Sequence, residues 1–133
     1  MGKEKMNIII VDDNQVFIDA VCFLLKSRSD VEVIGWANDV HQFLKLLEEK
    51  TPDLVLMDVF LPDINGLKAA EIARLNGFRP KFVGVTMSDD INIHATMAGL
   101  DFEAAILKND FSRDFATALE KLSRGERFFP VLN

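Results

Sequence analysis

Two uninterrupted apolar runs, Ile8-Ile9-Ile10-Val11 and Leu54-Val55-Leu56-Met57, constrain this chain more than any other feature. A run with no polar gap cannot turn one face to water, so each reads as a strand buried on both sides. Between and after the runs the apolar spacing becomes helical. Strand one covers about Asn7–Val11, and a helix follows from about Asn14 with Phe17, Ala20, Val21 and Leu24 on its inward face. Strand two is Val31–Ala37; Asn38 or Asp39 can cap a helix that turns Val40, Phe43, Leu44 and Leu47 inward. Strand three is Asp53–Met57, followed by a loop with Pro62 and Gly66 and a helix over Leu67–Leu75 that ends at Gly77 and Pro80. Strand four is Lys81–Thr86 with a helix over Ile91–Leu100; strand five is Ala104–Leu107. The last helix starts after Asp110 or Ser112, turns Phe115, Ala118, Leu119 and Leu122 inward, and stops near Gly125.

Five strand–helix units with short connections predict an α/β fold: a doubly wound, five-stranded parallel sheet with helices on both faces. Right-handed crossovers leave few topologies, and the flavodoxin-like order 2-1-3-4-5 is the common one. Residues 1–125 form one domain, and 126–133 read as the start of a linker or a C-terminal tail. In that strand order the first and third strands are neighbours, so Asp12, Asp13 and Asp58 converge at the carboxyl edge of the sheet, where such folds bind ligands. Thr86 and Lys108 end strands four and five on the same edge.

With 133 residues, 49% hydrophobic and 27% charged, the chain can bury one sizeable core and is not of disordered composition. No apolar stretch approaches the roughly 18 to 20 residues that span a bilayer. The start at Met1 lacks a signal-peptide core, and the single cysteine, Cys22, excludes an internal disulfide; a reducing cytoplasm is the simplest home. A net charge of −6 argues against direct binding of nucleic acid.

Three acids, a hydroxyl and an ammonium, with no histidine or cysteine cluster, suit a hard cation such as Mg²⁺. A carboxylate can accept a phosphoryl group as an acyl phosphate, and a metal offsets the charge on the transferring oxygens. For a lone Asp-Asp the bland reading, a helix N-cap, would prevail; Asp58 on the adjacent strand shifts the balance to metal binding. Asp63 and Asn65 read as loop-shaping residues, His41 and His94 as surface or helix residues without partners, and Trp36 as core or sheet-edge packing.

The pieces Val11-Asp12-Asp13, Leu56-Met57-Asp58, Pro62-Asp63-Ile64-Asn65-Gly66-Leu67, Val85-Thr86 and Leu107-Lys108 resemble, in order and interval, the receiver domain of two-component response regulators, the CheY-like superfamily. The resemblance implies that Asp58 is the phosphoacceptor, loaded from a phosphohistidine of a sensor histidine kinase or phosphotransfer protein. It implies that Asp13 and Asp58 bind Mg²⁺ with the Phe60 backbone carbonyl, and that Asp12 acts through metal-bound water. Thr86 and Lys108 would contact the phosphoryl oxygens and pass the new charge to the face made by the fourth helix, fifth strand and fifth helix. The stretch Gly125-Glu126-Arg127-Phe128-Phe129-Pro130 resembles the linker start of NarL/FixJ (LuxR)-type regulators, whose DNA-binding output domain is absent from this chain.

Some residues depart from that pattern. Ala105 stands where the family has Tyr or Phe three residues before the lysine, and Met87 and Phe60 are bulkier than usual beside the phosphoryl site. Two rival readings follow from the residues: a receiver that signals by protein contact without phosphorylation, and an aspartate-nucleophile phosphatase. The phosphatase reading fits poorly, because its Asp-x-Asp motif is missing after strand one. Helix one carries a second apolar stripe, Ile18, Cys22 and Leu25, read either as a broad buried face or as a homodimer contact made with helix five; the face of the fourth helix, fifth strand and fifth helix is the other candidate for self-association.

Overall fold

The protein is described here by a computed structural model over residues 5–132; residues 1–4 and 133, and the expectations placed on them, lie outside the described residues. The strands are β1 (Met6–Val11), β2 (Val31–Ala37), β3 (Leu54–Asp58), β4 (Lys81–Thr86) and β5 (Ala104–Leu107). They form one parallel sheet in the order β2-β1-β3-β4-β5, as the alternation of patterns predicts. The helices are α1 (Gln15–Leu25), α2 (Val40–Glu49), α3 (Gly66–Leu75), α4 (Ile91–Gly99) and α5 (Phe111–Ser123).

Because side chains alternate along a strand, each apolar run feeds two cores. Ile8, Ile10, Leu54 and Leu56 pack with α1 and α5, while Ile9, Val11, Val55 and Met57 pack with α2, α3 and α4. All five residues of β3 are buried, which explains why its sequence shows no alternation. Each fully buried branched side chain contributes about 1.5–3 kcal/mol, so the central strands hold their carboxyl ends in fixed places.

The helix starts are capped by side chains that satisfy first-turn N–H groups. Asn14, not Asp12 or Asp13, caps α1 by accepting from Phe17 N–H, and Asp39 caps α2 by accepting from Gln42 N–H. Asp63 reaches α2 from the β3–α3 loop and accepts from the N–H groups of Val40 and His41 and from His41 Nδ1. It therefore locks that loop to a second helix, and His41 is not without a partner.

Three expectations change. On α1 the buried residues are Ile18, Val21 and Leu25, with Cys22 and Phe17 part-buried; Ala20 and Leu24 face outward. Two adjacent stripes fit helical spacing equally well, and contact with the sheet buries Ile18 and Leu25 of the second with Val21 of the first. Ile18, Cys22 and Leu25 thus belong to a broad buried face rather than to a contact surface, and the exposed apolar residues of α1 are Val16, Phe23 and Leu24. β3 runs one residue later than expected, because Asp53 turns its carboxylate to Asn7 N–H and Asp58 completes the strand. His94 is no surface residue: it is wholly buried, with Nε2 donating to Ser88 O at 2.8 Å and Nδ1 unpaired.

The tail packs on the domain. Phe128 pairs with the outer edge of β5, exchanging hydrogen bonds with Glu103 and Ala105, and Arg127 donates to the carbonyls of Ala98 and Phe102 at 2.7 Å each. Ala105 is fully buried in the same cluster that Phe129 packs against. Among the described residues no helix is long and apolar enough to cross a membrane.

Candidate functional site

Asp12 and Asp13 follow β1, and Asp58 ends β3 on the strand beside it. Ligand oxygens of the three carboxylates lie within 4.8 Å of one another. Asp12 and Asp58 are buried, whereas Asp13 is exposed. Each buried acid is aimed by its own loop: Asn14 N–H donates to Asp12 Oδ1 at 2.8 Å, and Phe60 N–H donates to Asp58 Oδ1 at 3.1 Å.

Lys108, immediately after β5, brings its ammonium into this cluster. Its Nζ is 2.8 Å from Asp12 Oδ2 and 3.6 Å from Asp58 Oδ2. The ammonium also lies over the face of Phe17, 4.7 Å from the ring centroid. One cation does not balance three acids. Burial, followed by the charge of Asp12, pushes the Asp58 carboxyl up to about 6, against the opposing effects of Phe60 N–H and Lys108. A group so placed gains from any further cation that enters.

Thr86 is buried at the end of β4, the strand next to Asp58. Its Oγ1 accepts from Ser88 N–H at 3.1 Å, which leaves its own proton free to donate. Ser88 O in turn receives the His94 hydrogen bond, so the loop that carries Thr86 is tied to α4. The side chains of Phe60 and Met87 are exposed.

The structure thus gathers Asp12, Asp13, Asp58 and Lys108 into one cluster and sets Thr86 on the adjoining strand end. Sequence reading missed Phe17, which periodicity assigned to the core, and His94, whose burial leaves no trace in a helix as weakly amphipathic as α4. Gly66 was noted only as a loop residue. A Cβ on it would collide with the Asp58 carbonyl oxygen, and its N–H bonds Val59 O at 2.8 Å, so only glycine lets α3 begin this close to the site.

The residues suit a hard divalent cation: all candidate side-chain ligands are oxygens, and the acids carry more negative charge than Lys108 offsets. A second group, Asp39, His41 and Asp63, also clusters within 4.8 Å, but its carboxylates are engaged with the N–H groups of α2.

The family model for the response regulator receiver domain matches residues 8–120. The chain is 30% identical over 126 residues to the response regulator protein VraR of Staphylococcus aureus, an alignment covering 93% of this chain and 59% of VraR. The chain therefore spans well under two thirds of the length of that relative. Among solved structures, the RcsB response regulator of Salmonella typhimurium superposes with a TM-score of 0.90 at 22% identity, over 98% of this chain and 66% of that one. The receiver domain of a putative response regulator NarL from Mycobacterium tuberculosis gives 0.83 at 22%, over 93% and 100%. At such identities the structural likeness establishes the fold.

Proposed function

The chain belongs to the response regulator receiver domain family, and on that premise we propose that it is a Mg²⁺-dependent phosphoacceptor switch whose acceptor is Asp58. The observation that carries this reading is the convergence of Asp12, Asp13 and Asp58 within 4.8 Å around a site with one lysine. The donor is a phosphohistidine on a sensor histidine kinase or phosphotransfer protein. An Asp58 carboxylate oxygen attacks phosphorus, the bond from phosphorus to the donor nitrogen breaks, and its electron pair stays on the imidazole. Asp13, Asp58 and the Phe60 carbonyl would hold Mg²⁺, with Asp12 acting through its water; when bound, the metal supplies charge neutralisation at the transferring oxygens.

Lys108 is already within 3.6 Å of Asp58 and needs only a short swing from Asp12 to meet a phosphoryl oxygen. The Thr86 hydroxyl donates to another. Drawing Thr86 inward breaks its bond from Ser88 N–H and pulls a loop that His94 fastens to α4. That route supports output through the α4-β5-α5 face without an aromatic at position 105. The acyl phosphate carries about −1.5 to −2 where the carboxylate carried one negative charge, and this added charge, with the new phosphoryl oxygens, supplies the driving force. Output is control of a DNA-binding domain beyond this chain or of a protein partner, and self-association through α1 would use Val16, Phe23 and Leu24.

The test is phosphotransfer from a panel of kinases onto wild type and Asp58→Ala, with melting followed as Mg²⁺ is added. Label on wild type alone is expected, as is a Mg²⁺-dependent stabilisation of about 2–3 kcal/mol at 100-fold excess over Kd, lost in Asp13→Ala. Label retained by Asp58→Ala overturns the site. No label and no response to beryllofluoride would favour the contact-only module that Ala105 suggests.

A further inference from the structure

We propose that Phe17 is a positioning residue for Lys108, resting on the phosphoacceptor reading above: its ring face holds the ammonium over the pocket and ties that hold to α5. Lys108 Nζ lies 4.7 Å from the Phe17 centroid, inside the range of a cation–π contact. The lysine side chain is only 12% exposed, so this contact is made largely out of water, where it is strongest. Phe17 is itself fixed from behind. Its ring meets Phe111 edge to face at 5.7 Å and 87°, and Phe111 stacks on Phe115 at 5.1 Å. Phe111 opens α5 directly after the short 3-10 turn, Lys108–Asp110, that begins at the lysine.

The other contacts of the ammonium are to Asp12 and Asp58, the carboxylates that a metal ion would share. As a metal takes up their charge, the electrostatic tether on Lys108 weakens, and a long flexible stem would be free to leave the pocket. An aromatic face carries no net charge and offers no ligand to a metal, so its attraction for the ammonium persists when the carboxylates are engaged. Phe17 thereby keeps Lys108 available to phosphoryl oxygens at the moment its first partners are occupied. A residue that merely filled the α1–α5 interface would be replaceable by leucine at the same site.

Labelling of Asp58 by acetyl phosphate and Mg²⁺, measured in Phe17→Leu and Phe17→Tyr, tests this. The leucine variant should react about 2- to 30-fold more slowly, the factor that cation–π strengths imply, while the tyrosine variant stays near wild type. In a Lys108→Met background, Phe17→Leu should add no further slowing. Equal slowing in both backgrounds, or none in the wild-type background, overturns the proposal. NMR of the metal-free, unphosphorylated protein provides a second readout: the Lys108 ε-methylene protons should be shifted upfield by the ring in wild type and Phe17→Tyr but not in Phe17→Leu. No such shift in wild type also overturns it. Failure of wild type to take label refutes the phosphoacceptor reading instead, and the NMR result then decides the Phe17 contact alone.

Discussion

Gly66 and Asp58 are in backbone contact: a Cβ at position 66 would occupy the space of the Asp58 carbonyl oxygen, with the Met57 side chain also close by. The first turn of α3 is therefore seated directly on the strand end that presents the Asp58 carboxylate. Gly66→Ala forces either the helix or Asp58 to move, and neither neighbour is the free end of a flexible side chain. We expect a loss of about 1–3 kcal/mol, and labelling of Asp58 reduced more than the residual folded fraction explains. Urea denaturation alongside labelling checks this; a variant with normal stability and normal labelling would show that the contact is loose.

Asp58 makes the metal-free domain less stable at neutral pH. Its carboxyl is raised to about 6 in the folded protein by burial and by Asp12. The folded state then binds this proton more tightly than the unfolded chain, so stability falls as pH rises from about 4 to about 6 and the full penalty is present above that. Asp58→Asn should be more stable than wild type at pH 7 by about 1–3 kcal/mol without metal, and the advantage should shrink towards zero below pH 4. Denaturant midpoints at the two pH values would refute this if the difference were the same at both.

Asp63 has the opposite sign. Burial alone would raise its carboxyl, but donors from Val40, His41 and Ile64 outweigh that and hold it at about 2. Its stabilising contribution is complete above about pH 4 and disappears as pH falls towards 2. The carboxylate is partly open to solvent, so screening keeps the effect small. Asp63→Ala should cost about 1–2 kcal/mol at pH 7, in the range of a lost helix cap, and much less at pH 2.5. Hydrogen exchange at the α2 N-terminus should rise in the variant; unchanged protection there would argue against the cross-loop cap.

The sheet was legible in the sequence because the two central strands, buried on both faces, leave uninterrupted apolar runs, and five strand patterns alternating with helical spacing admit few topologies. Asp12, Asp13, Asp58, Thr86 and Lys108 were legible for a related reason: each terminates a run, and parallel topology places all strand ends on one edge. Periodicity could not decide which of two stripes on α1 faces inward, since Phe17-Val21-Leu24 and Ile18-Cys22-Leu25 fit a helix equally well. Only contact with the sheet selects Ile18, Val21 and Leu25 and leaves Phe17 at the border, where its ring meets Lys108 from the turn after β5, 91 residues further along the chain.

The same distinction holds for the remaining contacts. His94 with Ser88, Asp63 with the α2 N-terminus and Gly66 with Asp58 carry no local signature, because burial and hydrogen-bond partners are properties of the packed neighbours rather than of spacing along the chain. What the sequence alone determined is the order of elements and the edge at which the acids meet, both consequences of where apolar runs start and stop. The tertiary structure decided which side chains hold those acids and the lysine in place, since these depend on distances between segments that hydrophobic pattern does not encode.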